Sequence, residues 1–132
     1  MSARVEIVRR AHDALNHGDA EALVALCAPD FHLDMSDRVF NPEVYLGHDG
    51  IRSFVEEVRE VWETFSWEPT ELQEVGDVVL SLVHSVGRGR ESGLEIERDS
   101  AMLWRIPEQT LVALTFFRDP SAARKTAGVD PG

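Results

Sequence analysis

The chain has 132 residues, of which 43% are hydrophobic, and its formal net charge is −11 with a pI near 4.8. This length suits one core, so we predict that residues 1–132 form a single domain. The acidity argues against nucleic acid or an anionic membrane as a partner, and no apolar run approaches the ~20 residues of a membrane span, so we expect a cytoplasmic protein.

Two helices are predicted at the start of the chain, over residues 4–16 and 20–27. Gly18 is a natural left-handed cap for the first helix, and Asp19 caps the second. Cys27 is the only cysteine, which excludes an internal disulfide and a thiolate metal cluster. It lies in the apolar pattern of the second helix, so we expect a buried thiol rather than a nucleophile.

A short strand and a long amphipathic helix are predicted next, separated by a loop over residues 36–46. Residues 31–35 alternate between apolar and polar, which is typical of a strand with one solvated face. Residues 51–65 place apolar side chains at helical spacing, and Gly50 lets the chain turn tightly into this helix. The apolar stripe consists of Ile51, Phe54, Val55, Val58, Val61, Trp62 and Phe65. Such a helix must pack on an apolar surface, which the strands downstream supply.

The second half of the chain predicts an antiparallel meander. Its strands are expected over residues 70–75, 78–86, 94–106 and 111–117, and a short terminal helix over residues 120–127. Helices first and strands last are typical of an α+β fold, in which the helices cover one face of the sheet.

Both faces of the predicted sheet are apolar. In the strand over residues 78–86, Val79 and Val83 lie on one face, and Leu80 and Leu82 lie on the other. The long strand that follows repeats this pattern. Because the predicted helices suffice for one face only, we expect a second copy of the chain to cover the other, giving a homodimer built sheet to sheet.

Several short segments together carry a family pattern: residues 8–11, 14–19, 23–26, 29–31, 47–54 and 117–119. This pattern resembles the nuclear transport factor 2-like superfamily, and in particular its SnoaL-like branch, the relatives of ketosteroid isomerase. The resemblance implies a cone-shaped, curved antiparallel or mixed sheet around a deep apolar pocket, with the three N-terminal helices packed on its concave face. It does not fix the activity, because this scaffold hosts isomerases, dehydratases, cyclases, epoxide hydrolases and inert binding domains.

The resemblance allows the family's catalytic residues to be compared with this chain position by position. Ketosteroid isomerase uses a tyrosine, a carboxylate base and a protonated aspartic acid. These positions fall on Ala11, on Met35 and on or near Ala101, and none of these side chains transfers a proton. The acid and arginine positions of the epoxide hydrolases fall within residues 80–83 and 115–117, which contain neither residue type. Catalysis by either set of residues is therefore not expected.

Two carboxylates remain as candidate catalytic residues. Asp34 shares a strand face with His32, where the imidazole could pair with it, and a solvated strand edge is the alternative. If Met35 points into the pocket, this pair points away from it. Asp99 shares the parity of Ala101, so we expect it to face the cavity near its mouth and to act as a general acid or base.

A mainly apolar set of side chains is predicted to bind the ligand. It consists of Met35, Phe54, Val58, Trp62, Ser81, Val83, Leu103, Leu114 and Phe116. Ser85 could add a second polar contact, Arg98 points to the face opposite Asp99, and His84 is expected at the subunit interface.

Two functional hypotheses follow. The first is a SnoaL-like pocket protein that holds or converts a small apolar or polycyclic molecule, by proton transfer next to a carbonyl and without a metal or cofactor. The second is a non-catalytic binding or dimerisation domain, which the missing acid and base residues favour.

Overall fold

The computed structural model of the chain describes residues 2–39 and 41–129. Its elements are α1 (Ala3–Asn16), α2 (Ala20–Val24), β1 (Cys27–Asp34), β2 (Val44–Leu46), α3 (Gly47–Val61), β3 (Trp62–Val75), β4 (Val78–Gly89), β5 (Glu95–Arg105), β6 (Leu111–Phe117) and α4 (Pro120–Ala127). Within the described residues the strands form one sheet in the order β2-β1-β6-β5-β4-β3. The pair β1 and β6 is parallel and the other neighbours are antiparallel, which confirms the predicted α+β class with a mixed sheet.

Helices α1, α2 and α3 pack on one face of the sheet and close the main core. Helix α1 lies against β3, and α3 lies against β1. The core combines one stripe of each long helix with one face of the strands, and Val8, Ile51, Val79 and Trp104 are 0% exposed within it. The predicted position of the three N-terminal helices is confirmed.

Two glycines shape the start of α3, and their roles differ from the prediction. Gly47 has a φ of +70°, so Gly47 rather than Gly50 makes the turn into the helix. Gly50 permits a close approach instead, because a Cβ at this position would lie 2.8 Å from the carbonyl carbon of Tyr45.

The predicted boundary between α3 and β3 is wrong. The helix was expected to continue to Phe65, but it ends at Val61, and Trp62 has an extended backbone with φ −112° and ψ 132°. The strand expected over residues 70–75 therefore begins at Trp62. The aromatic residues satisfy both periodicities, since Phe65 and Trp67 also alternate at strand spacing on one face of the sheet.

The second helix and the first strand also differ from the prediction. Helix α2 ends at Val24, and Cys27 begins β1, where it pairs with Leu111 of β6. Cys27 is buried, and this burial raises the pKa of its thiol to about 12, so it is a poor nucleophile. The predicted loop contains the short strand β2.

The opposite face of the sheet is partly covered by α4. Ala123 of this helix packs on Leu80 and Ala101, and Leu103 borders the same cluster. The expectation that this chain lacks a helix for its second face is therefore wrong. The covering is incomplete, because Val86 on this face is 45% exposed.

The two edges of the sheet are formed by β2 and by β3. Strand β3 has an irregular register between Pro69 and Glu71, where it pairs with β4. In the part of the chain that the structure describes, no helix has the length and apolar character needed to cross a membrane.

Candidate functional site

A cavity of about 570 Å³ lies between the C-terminal half of α3, the start of β3 and one face of β4 and β5. Strand β3 follows α3 directly, without a loop. The cavity's apolar wall includes Met35, Val58, Trp62, Phe65, Trp67 and Phe116.

Three aromatic rings of β3 form a continuous apolar wall. The ring centroids of Trp62 and Phe65 are 5.1 Å apart, and those of Phe65 and Trp67 are 4.4 Å apart. Gly87 of β4 makes room for this cluster, since a Cβ there would lie 2.6 Å from a ring carbon of Phe65. The two ring pairs meet at interplanar angles of 60° and 48°, so the cluster offers both ring faces and ring edges to an aromatic ligand.

Polar side chains from β4 and β5 reach the cavity on the same sheet face. Ser85 and Arg98 are cross-strand partners, and Ser100 follows two residues after Arg98. Ser100 is 1% exposed, and no described residue forms a hydrogen bond with its hydroxyl oxygen.

A second polar cluster stands at the α3 side of the cavity. The Tyr45 hydroxyl donates to the Glu57 carboxylate, which also accepts from the Asn41 amide at 2.9 Å. Arg38 donates to the Tyr45 oxygen at 3.0 Å, and its guanidinium lies over the Phe54 ring. Burial, helped by the bond to Glu57, raises the pKa of Tyr45 to about 12, so the phenol keeps its proton.

A buried network lies in the core beside the cavity. The His12 imidazole bonds the Trp67 carbonyl at 3.1 Å and the Ser81 hydroxyl at 3.0 Å, and the Trp104 indole donates to the same hydroxyl at 2.8 Å. Desolvation lowers the pKa of His12 to about 4, so the ring is neutral at pH 7. These partners satisfy Ser81, whose predicted place in the ligand pocket is wrong.

The predicted lining residues divide into three groups. Those that line the cavity are Met35, Val58, Trp62 and Phe116. Those that lie in the packed core are Phe54, Val83 and Leu114. Leu103 faces the other side of the sheet, beside α4, so its predicted place in the pocket is wrong. Both sides of β5 carry apolar residues, and apolar parity alone does not tell them apart.

Neither predicted catalytic carboxylate faces the cavity. Asp34 accepts hydrogen bonds from the Ser36 hydroxyl and backbone N–H, and the hydroxyl bond chiefly lowers the pKa of Asp34. Asp99 lies on the opposite sheet face, where it accepts from His84 at 2.8 Å. The expected position of Asp99 at the cavity mouth is therefore wrong, for the same reason of parity.

Sequence reasoning missed most of the polar side chains that do reach the cavity. Arg38 and Glu57 lay in a predicted loop and on the polar side of a predicted helix, where nothing marked them as inward. The sequence did contain a signal for Ser100 and Arg98. They lie on the same face of the strand as Trp104, and a side chain as large as tryptophan indicates the face that packs in the main core.

The described residues contain no group of three His, Cys, Asp or Glu side chains that could hold a metal ion. The expectation that the protein needs no cofactor stays a prediction.

Comparisons with known proteins point to one family. Residues 8–114 match the model of the SnoaL-like domain. A nuclear transport factor 2-like protein of unknown function from Burkholderia pseudomallei has a similar structure, with a TM-score of 0.80, 20% identity, and coverage of 95% of this chain and 97% of that one. No curated protein matches the sequence significantly.

Two further similar structures contain small molecules. The protein TerC, co-crystallised with polyporic acid, has a TM-score of 0.79 at 19% identity, covering 96% of this chain and 99% of its own. A protein with a ketosteroid isomerase-like fold from Catenulispora acidiphila, in complex with trimethylamine, has a TM-score of 0.78 at 18% identity, covering 95% and 94%. At these identities the likeness establishes the fold alone.

Proposed function

Because this chain belongs to the SnoaL-like domain family, we propose that it binds a small, mainly apolar aromatic molecule in the cavity beside α3. The observation that carries the proposal is the aromatic wall of Trp62, Phe65 and Trp67 around space that the chain's own side chains leave open. Apolar concave sites with a few convergent polar groups are the usual form of small-molecule sites. Similar structures with polyporic acid and trimethylamine support the same use of this fold.

Filling the cavity with a side chain is expected to weaken ligand binding. Val58 lines the cavity from α3, so Val58→Trp places an indole in the space that the ligand needs. We expect the affinity for the neutral probe 2-naphthamide to fall at least about tenfold, which isothermal titration calorimetry measures directly. Leu46→Trp is the matched control, because Leu46 is 66% exposed and lies on β2. Unchanged affinity in Val58→Trp would contradict the proposed site.

A second candidate function is cofactor-free proton transfer, as in an isomerase or cyclase. The observation that favours it is the Tyr45 and Glu57 pair, since Glu57 lines the cavity and its carboxylate accepts a hydrogen bond from the phenol. The non-catalytic alternative is favoured by Met35, which supplies no acid or base where the isomerases have one. A turnover assay of the wild type and of Glu57→Gln separates the two candidates. An enzyme converts its ligand and loses this activity in Glu57→Gln, whereas a binding domain converts nothing in either form.

We also propose that two copies of the chain associate through the sheet face that α4 covers incompletely. Val86 is exposed there, and Leu82 and Leu103 lie further along the same face, at the border of the α4 cluster. We expect a dimer by light scattering at micromolar concentration, and at least about tenfold weaker association in Val86→Glu, which places carboxylates in an apolar contact. Leu46→Glu on β2 controls for the added charge. A wild-type monomer at that concentration would contradict this arrangement.

A cytoplasmic location also stays a proposal.

A further inference from the structure

The cavity wall formed by β4 and β5 carries hydrogen-bonding capacity that the protein itself does not use. Among the described residues, the side chains of Ser85 and Arg98 make no hydrogen bond and Arg98 forms no ion pair. Ser100 adds a hydroxyl that is 1% exposed and has no partner. All of these side chains line the cavity.

The register of the sheet brings these groups together. Ser85 lies directly opposite Arg98, and Ser100 is the next residue of β5 on the same face. Side chains opposite each other in an antiparallel pair have Cβ atoms about 5 Å apart, and residues i and i+2 of a strand lie about 7 Å apart. One small group in the cavity is therefore within reach of the guanidinium and of both hydroxyls.

Comparison with another buried serine indicates that the unpaired hydroxyl of Ser100 has a role. Ser81, a serine equally buried on the same face of β4, is fully engaged with His12 and Trp104. A buried polar atom without a partner destabilises the fold, and alanine in its place would avoid that cost. A buried hydroxyl that no described residue bonds is explained if a ligand atom completes its bonding.

The charges around the cavity indicate which kind of atom that is. The Glu57 carboxylate is occupied by Tyr45 and Asn41, and the Arg38 guanidinium is bonded to Tyr45 and to the Asn41 carbonyl. The other charged groups of the lining, Glu60, Glu91 and Arg98, are exposed, and of these only Arg98 shares a sheet face with Ser85 and Ser100. The guanidinium of Arg98 carries donors only, arranged in a fork that matches two oxygens of one anionic group.

We propose that the ligand is a planar aromatic molecule with an anionic oxygen group, and that Arg98, Ser85 and Ser100 hold this group while the aromatic wall holds the ring. This inference rests on the proposed binding function and names the ligand class of that site. Arg98 supplies charge-assisted hydrogen bonds, and the two serines donate to the remaining oxygen lone pairs.

Two matched probes test the inference on the full-length chain. The aromatic anion 2-naphthoate and the neutral 2-naphthamide have the same ring, and differ in the charge of the oxygen group. Isothermal titration calorimetry is expected to give about tenfold tighter binding of 2-naphthoate to the wild type. Arg98→Gln is expected to remove this preference and to leave the affinity for 2-naphthamide unchanged, and Arg98→Lys to restore part of it. Ser100→Ala should weaken 2-naphthoate binding about threefold or more.

A matched control and two outcomes make the test decisive. Arg88→Gln removes an arginine whose partners are Glu63 and Glu95, outside the cavity, and should leave both affinities unchanged. Equal affinity of the wild type for both probes, or an unchanged preference in Arg98→Gln, would overturn the inference while the proposed binding function stands. If the wild type binds neither probe, the proposed function fails and the inference fails with it.

Discussion

Lowering the pH from 7 to 4 is expected to reduce the free energy of unfolding by about 3 kcal/mol through His12 alone. In the folded chain the pKa of His12 is lowered to about 4, mainly by desolvation, from an ordinary value of 6.5. Between these two values the unfolded chain binds a proton that the folded chain does not. The stability is therefore present above pH 6.5 and is lost as the pH falls toward 4.

The hydrogen bonds of His12 explain why the ring resists protonation. The Trp67 carbonyl accepts a bond, so Nδ1 carries the proton, and Nε2 accepts from the Ser81 hydroxyl. The Trp104 indole already donates to Ser81, which completes a chain of directed bonds. A second proton on the ring would reverse the bond to Ser81 and place a charge in the core, where no carboxylate bonds the ring.

Urea unfolding at several pH values measures this contribution. The wild type should lose stability more steeply than His12→Gln between pH 7 and pH 4, and His17→Gln, which alters an exposed histidine, should follow the wild type. His84 acts with the opposite sign, since the bond to Asp99 raises its pKa and its contribution is lost as the pH rises. Equal slopes in the wild type and His12→Gln would contradict the prediction. If His12→Gln does not fold, NMR titration of the His12 ring replaces it, and a midpoint near 6.5 would be the contradicting result.

Gly50→Ala is expected to destabilise the protein by about 1–3 kcal/mol. Alanine favours a helix by about 1 kcal/mol over glycine, so propensity alone predicts the opposite sign. The new Cβ would lie 2.8 Å from the carbonyl carbon of Tyr45, and a backbone atom cannot move aside as the end of a side chain can. The strand residue would be pushed away from α3, which would also disturb the bond between Tyr45 and Glu57.

Thermal or urea unfolding of Gly50→Ala, compared with Ser53→Ala, separates sterics from propensity. Ser53 is exposed on the same helix, and its replacement should change the free energy of unfolding by no more than about 0.5 kcal/mol. A Gly50→Ala variant as stable as the wild type would show that β2 yields to the added methyl group.

The fold could be predicted from the sequence where the periodicity of an element had a single solution. The first helix and the strand ending in Phe117 had one apolar stripe or one clear run, and their positions are confirmed. The predicted secondary structure of residues 62–65 is wrong because tryptophan and phenylalanine there satisfy a helical and a strand spacing equally. In the structure these residues pair with β4, where Gly87, distant in sequence, lies opposite Phe65 and leaves room for its ring.

The polar residues of the site were harder to predict than the fold. Strand β5 is apolar on both faces, so its parity alone does not say whether Asp99 or Arg98 faces the cavity. The answer depends on α4, a helix of eight residues whose Ala123 covers the face that contains Ala101. Whether the Ser100 hydroxyl finds a hydrogen-bond partner among the described residues depends on the positions of all its neighbours, and no local sequence pattern encodes these.

The composition of β3 limits how copies of this chain can assemble. This long edge strand exposes four carboxylates, at Glu63, Glu68, Glu71 and Glu74, and its Pro69 offers no N–H to an incoming strand. The other edge, β2, is only three residues long. Neither border therefore supports a continuous intermolecular sheet, and this guards a β-rich protein against fibrous aggregation. Part of the chain's negative charge thus lies on the exposed edge strand β3, where it disfavours pairing with a strand of another copy.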